Sequence, residues 1–472
     1  MTNELPKNMT PEEIDQRTVF HPSTHLKNHA HGKAGTPRII DRGDGITITD
    51  RQGKQLIDAF AGLYCTNVGY NRQEITEAIS KQAEKLAFYH SYVGHSHDPL
   101  ITLSERLIRM APKGMSKVYY GQSGSDANET QAKLVWYYSN ILGRPEKKKI
   151  ISRQRAYHGS SVTSGSMTGL PVFHNAFDLP LPQIKHTTTP HWYWNHEEGE
   201  TEEQFSKRCA DDLEKMIIAE GPETVAAFIG EPVLGTGGII PPPKGYWAEI
   251  QKVLKKYDVL LIADEVVTGF GRIGSDFGSD HYGMEPDLMT VAKGITSGYL
   301  PLSGVLVGER VWQVLEQGAD EMGPIGHGYT YSAHPLCIAA ANANLDIIER
   351  EGLTANARDT GAYMQEQMQA AFGDHPIVAE ARGVGLLSAL EFAADGEKRK
   401  AFDPSLKVGA RISAACNERG LIARAMPHGD ILGYAPPLIV NREQVDRIVA
   451  ISREAVDAVT DELVREGSLK AA

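Results

Sequence analysis

The sequence predicts an α/β fold: a large, doubly wound, mostly parallel sheet, with a smaller α+β domain formed from the N-terminal arm and the C-terminal part. Three observations lead there. Between about residues 75 and 335, apolar runs of strand length alternate with segments of helical period. VAAFIGEPV (225–233) and VLLIADEVV (259–267) flank YWAEIQKVLKKY (246–257), whose apolar spacing is helical, so the three read as a βαβ unit. The runs end in polar residues, Glu231, Asp264 and, after DLMTVAK, Lys293. Open α/β sheets bind ligands beyond the carboxyl ends of their strands, so these three should face one crevice.

In chain order, residues 1–74 read as an arm that joins the smaller domain. Its start is polar, and GDGITITDRQGKQLIDAF then alternates like a hairpin turning at Arg51–Gly53. Residues 75–335 read as the large domain. In YYGQSGSDANETQAKLVWYYS (119–139) a turn of small residues runs into a helix, with Ser125 expected as cap and Asp126 and Glu129 in the first turn. The strand KKIISRQ leads into RAYHGSS, which carries Tyr157 and His158. HTTTPHWYWNHEEGETEE (186–203) reads as a polar and aromatic excursion over the surface. Residues 336–472 read as the C-terminal small domain: a helix in CIAAANANLDIIERE, a strand pair around GVGLLSALEFA and a closing amphipathic helix from Arg442.

At 472 residues the chain can bury a large core and a smaller one. Its net charge of −12, with no extended Lys/Arg-rich run, argues against nucleic acid or anionic membrane as a main partner. Cysteines at 65, 209, 337 and 416 form no CxxC pair, which suits the reduced thiols of a cytoplasmic protein. The polar, acidic start MTNELPKNMTPEEIDQ lacks the pattern of a signal peptide. No apolar run approaches the ~18 residues that span a bilayer. The expectation is a soluble, cytoplasmic protein.

An ammonium group where a buried strand ends costs free energy unless it is paired or used. A lysine and an acid at such a crevice suit a cofactor that carries an aldehyde and a basic ring nitrogen. Pyridoxal phosphate fits: Lys293 forms the Schiff base, and Asp264 keeps the pyridine nitrogen protonated so the ring can absorb electrons. Gly124 and Ser125, at the start of a helix, offer N–H groups and the positive end of its dipole to a phosphate.

Together these stretches resemble the class III, fold type I pyridoxal-phosphate aminotransferases, from about residue 35 to about 450. The resemblance lies in GSDANET, YHG, EPVLGTGG, LLIADEVVTGFGRIG, MTVAKGITSGYLPLSG and GYTYSAHPLC, in the family's order and spacing. It implies Lys293 as Schiff-base lysine and general base, and Asp264 on the ring nitrogen. Val266 would pack on one ring face and Tyr157 stack on the other, with His158 beside them. Ser123, Gly124 and Ser125 would hold the phosphate, and Glu231 would stand near Asp264. Thr330 would reach the phosphate of the partner subunit, which implies a homodimer, with a tetramer left open.

Two stretches narrow the branch. Where the ornithine and 4-aminobutyrate branches carry a gating glutamate after EP, this chain has Thr236. GLIARAMPHGDILGYAPPL (420–438) resembles the pyruvate-using ω-amine and β-alanine branch, whose mobile arginine corresponds to Arg424. A guanidinium grips a carboxylate through two parallel hydrogen bonds and must leave when an amine without one takes its place. Tyr64 in AGLYCTNVGY stands where that branch has a pocket aromatic. Taurine, β-alanine, a diamine and an arylalkylamine all remain compatible as donors, and the acceptor is expected to be pyruvate, with 2-oxoglutarate as the alternative.

Other readings fit less well. GFGRIG (269–274) has the dinucleotide-binding pattern, but it neither follows a strand directly nor opens a helix. LLIADE resembles a Walker B strand, yet no G-x-x-x-x-G-K-[ST] motif is present. Neither HSH (95–97) nor HLKNHAH (25–31) combines a helical i,i+4 spacing with an adjacent acid in the manner of H-E-x-x-H, so no metal is expected. An aminomutase would share Lys293 and Asp264 while needing no external acceptor.

Overall fold

The computed structural model describes residues 8–33 and 35–470. Its strands are β1 (Ile40–Asp44), β2 (Thr47–Asp50), β3 (Gln55–Asp58), β4 (Met115–Gly121), β5 (Lys149–Arg153), β6 (Ile184–Thr187), β7 (Val225–Gly230), β8 (Leu260–Asp264), β9 (Leu288–Val291), β10 (Ser303–Gly308), β11 (Val378–Val384), β12 (Leu387–Phe392), β13 (Leu421–Ile422), β14 (Arg424–Ala425) and β15 (Ile431–Tyr434). Seven of them form the large sheet in the order β4-β10-β9-β8-β7-β5-β6. The ladders from β9 to β6 are parallel, and β10 alone runs against its neighbours.

Every residue of β7 and β8 is buried, because helices cover both faces of the sheet. Side chains alternate between those faces: Phe228 enters one core, and Ala227 and Ile229 enter the other. The expected βαβ unit is present, with the helix Tyr246–Lys256 between β7 and β8 and β9 next in the sheet.

The hairpin of β2 and β3 forms around Arg51–Gly53, and β3 then pairs in parallel with β13. A strand from the arm and a strand from the last fifth of the chain therefore share one small sheet. A second, β11-β12-β15-β14, lies beside the helices Leu353–Phe372 and Val408–Glu418, and the closing helix Arg442–Arg465 packs against both. This is the large, mostly parallel sheet domain with a smaller α+β domain that the sequence predicts.

The segment 186–203 departs from expectation. His186 and Thr187 complete β6, and Thr189 and His191 are buried. Trp194 donates its indole N–H to Glu391 at 2.7 Å, and Tyr193 donates its hydroxyl to the carbonyl of Gly396 at 2.9 Å. Both hydrogen bonds reach the C-terminal part of the chain, a pairing that local polarity does not disclose. The glycines of GFGRIG also have a packing role. At Gly274, with φ +86°, a side chain would meet the backbone of Arg358 on the neighbouring helix. Among the described residues no helix is long and apolar enough to cross a membrane.

Candidate active site

Four adjacent strands, β9, β8, β7 and β5, end on the same side of the sheet and deliver Lys293, Asp264, Glu231 and the pair Tyr157 and His158. All five line one cavity of about 400 Å³. Its wall is completed by the turn Ser123–Gly124–Ser125 and by Val266.

Asp264 is buried and its charge is held from three sides. Oδ2 accepts from Nδ1 of His158 at 2.8 Å and from the Asn128 amide at 2.9 Å, and Oδ1 accepts from the Val266 N–H at 3.1 Å. Facing a carboxylate, His158 carries its proton on Nδ1; its Nε2 is buried without a partner among the described residues. Glu231 caps two loops, accepting from the N–H groups of Tyr157 (3.1 Å) and Gly235 (2.7 Å). Burial pushes its carboxyl above the usual carboxylate range.

Lys293 holds a left-handed backbone, φ +47°, two residues past the end of β9. Such a conformation costs an ordinary residue on the order of 1–3 kcal/mol and persists where the surroundings enforce it. Its Nζ lies 5.5 Å from the centre of the Tyr64 ring. Burial holds the ammonium below its ordinary lysine pKa, against the pull of Cys65, Asp264 and Glu231. A larger neutral fraction is what a nucleophilic amine requires.

The phosphate end differs in detail from expectation. Ser123, not Ser125, caps the helix Gly124–Ile141, exchanging hydrogen bonds with Asp126 in a capping box. Ser125 lies within the first turn, and its Oγ accepts from the Ser160 N–H at 3.2 Å. Glu129 reaches across to Ser161, Thr163 and Ser164 instead of serving its own first turn. A Cβ on Gly124 would lie 3.1 Å from Val266 Cγ2, so a side chain there would press on the residue expected against the cofactor ring.

Tyr64 is buried, also left-handed at φ +62°, and packs against Phe60 with its hydroxyl unpartnered among the described residues. Arg424 places its guanidinium 5.5 Å from the Phe60 ring. Burial raises the pKa of Tyr64 and Tyr157, and the charge of Arg424 pulls both back. Thr330 is exposed and lies outside the cavity walls of its own chain. Thr236 is buried beside the Glu231 loop.

The sequence reading missed Asn128, which is fully buried. Its amide donates to Asp264 and to the His158 carbonyl, and its Oδ1 accepts from Thr290 at 2.7 Å. An asparagine on the buried face of a helix, one turn after the cap, was the available signal. The residues present fit pyridoxal phosphate: an amine, a fixed carboxylate, a helix N-terminus and the side chains of Tyr157 and Val266 share one cavity.

The family model for class-III aminotransferases matches residues 29–456. A diaminobutyrate–2-oxoglutarate transaminase of Halomonas elongata is 65% identical over 460 residues, covering 97% of this chain and 98% of that one. A solved structure from work on directed evolution of transaminases by ancestral reconstruction is 69% identical, with TM-score 0.94 over 96% of this chain and 98% of that one. An ω-transaminase from Pseudomonas jessenii in complex with PMP is 44% identical, with TM-score 0.93 over 96% and 99%.

The fold is that of the pyridoxal-phosphate-dependent transferases. The chain belongs to the class-III aminotransferases, and its activity is transamination.

Proposed function

We propose that this enzyme moves the amino group of a terminal amine or ω-amino acid onto a 2-oxo acid, in two half-reactions that share one pocket. Bound pyridoxal phosphate would supply an aldehyde for the amine and a protonated ring that draws off electrons. Lys293 would hold the cofactor between turnovers and, when released, move the proton at its Nζ. Asp264 would keep the ring nitrogen protonated, with His158 and Asn128 holding its carboxylate in place. Ser123, Gly124 and Ser125 would receive the phosphate, and Tyr157 and Val266 would sandwich the ring.

The observation that carries the substrate reading is Arg424, whose charge is felt at Lys293, Tyr64 and Tyr157. A guanidinium there suits the carboxylate of the oxo acid. Thr236 in place of a gating glutamate supports pyruvate as acceptor, with alanine as product. The second reading keeps the same residues and takes 2-oxoglutarate. The Halomonas elongata relative favours it by name, and at 65% identity that argument outweighs the residue argument for pyruvate.

We read the working unit as a homodimer in which Thr330 of each chain reaches the phosphate of the other, with a tetramer as the alternative. The chain divides, in this reading, at about residues 74 and 335. Four free cysteines, three of them buried, support a cytoplasmic setting.

A panel of amines assayed against pyruvate and against 2-oxoglutarate, with alanine and glutamate quantified, tests the proposal. Alanine alone selects pyruvate and glutamate alone selects 2-oxoglutarate. Turnover without any acceptor would point to an aminomutase and overturn it.

A further inference from the structure

The segment of the arm before β1 contains two short helices, Pro11–Thr18 and Leu26–Ala30, and none of their residues is buried. Val19, Phe20 and Leu26 are exposed, so no apolar core of their own joins them. What does join them is a cluster of three donors. Nε2 of His21 lies 2.9 Å from Oδ1 of Asp15, Nε2 of His29 lies 3.5 Å from the same oxygen, and all three ligand atoms lie within 4.8 Å of one another. The imidazoles meet edge to face, with ring centres 4.8 Å apart. Nε2 of His29 is shielded from water and has no hydrogen-bond partner among the described residues.

We propose that Asp15, His21 and His29 form a divalent-metal site that fastens the two helices of the arm. Two imidazoles and one carboxylate are donors for zinc or a neighbouring first-row ion, not for calcium or magnesium, which take oxygen ligands. A tetrahedral ion with bonds of about 2 Å holds its ligands roughly 3.3 Å apart, close to the two spacings from the Asp15 oxygen. One carboxylate leaves the ion a net positive charge and a fourth position for water. The ion would give the orphaned His29 nitrogen its partner, and it would supply the cross-link that a pair of helices without a core lacks. The histidine pattern of residues 25–31 alone did not disclose the site, because Asp15 and His21 come from outside it.

The test uses the full-length, cofactor-loaded enzyme without an affinity tag, freed of metal by dialysis against a chelator. Zinc chloride is titrated by calorimetry in a non-coordinating buffer, and trypsin cleavage of the arm is followed with and without zinc. One strong site per chain and slower cleavage with zinc are expected. Asp15→Asn keeps an acceptor for His21, so the arm can fold in the variant. Asp15→Asn and His29→Gln should each weaken binding by more than the roughly 10–100-fold that loss of an outer-shell partner costs, and His31→Gln should not. Absence of a strong site, or a site that both Asp15→Asn and His29→Gln leave intact, would overturn the proposal.

Discussion

Asp264 and His158 share a 2.8 Å hydrogen bond in a fully buried setting, and Asn128 donates to the same carboxylate oxygen at 2.9 Å. Two donors from different elements fix the plane of the carboxylate before any cofactor arrives. That rigidity suits a charge whose task is to hold one proton on a ring nitrogen.

Asp264→Asn keeps the shape of the side chain and loses the charge. It also sets an amide N–H₂ among groups that already donate, His158 Nδ1 and Asn128. Turnover should fall by about a hundredfold or more, the scale on which lost electrostatic stabilisers act, with cofactor still bound. Steady-state rates and cofactor content of the purified variant decide it. Near-normal turnover would mean that the ring nitrogen has another partner.

Lys293 should carry the cofactor covalently in the resting enzyme, which would make the purified protein yellow. Borohydride followed by peptide mass spectrometry should find the label on Lys293. Lys293→Ala should retain cofactor through the helix N-terminus at Ser123–Ser125 and lose transamination. A label on any other lysine sinks the assignment.

The depressed pKa of Lys293 has a thermodynamic consequence in the cofactor-free protein. Its folded value lies below the unfolded value near 10.4. In the window between the two, the unfolded chain binds the extra proton, so stability rises with pH there. The penalty for the buried ammonium is fully present below the folded value and vanishes above the unfolded one. Cofactor-free Lys293→Met should therefore gain melting temperature over the wild type at neutral pH, with the gap narrowing as pH approaches that of free lysine. A gap that widens with pH would contradict the sign.

If Thr330 serves the neighbouring chain, Thr330→Ala should weaken cofactor affinity and, with it, the dimer that cofactor stabilises by mass action. Sedimentation at assay concentration, with and without pyridoxal phosphate, measures both. A catalytically competent monomer would refute the shared site.

Arg424→Ala should spare the amine half-reaction and cripple the oxo-acid half-reaction. Losing one side of a desolvated ion pair costs about 2–5 kcal/mol, or roughly 30- to several-thousand-fold. Stopped-flow traces of each half-reaction, recorded separately, give the answer. An equal fall in both would make Arg424 a structural residue packed on Phe60.

By itself the sequence determined the alternation of strand and helix and the places where polar residues end apolar runs. Strands covered on both faces must be apolar throughout, so Glu231, Asp264 and Lys293 stand out at their ends. Only the tertiary structure decided which groups meet across distance. Asn128 locks onto Asp264 across 136 positions, and Trp194 onto Glu391 across 197. The capping role moved from Ser125 to Ser123 because the Asp126 carboxylate turned back to the Ser123 N–H. Asp15 met His21 and His29 only once two helices had folded against each other. Periodicity and burial are local properties of a chain and can be read along it. A hydrogen bond between distant residues depends on how the elements pack, and no local pattern encodes that.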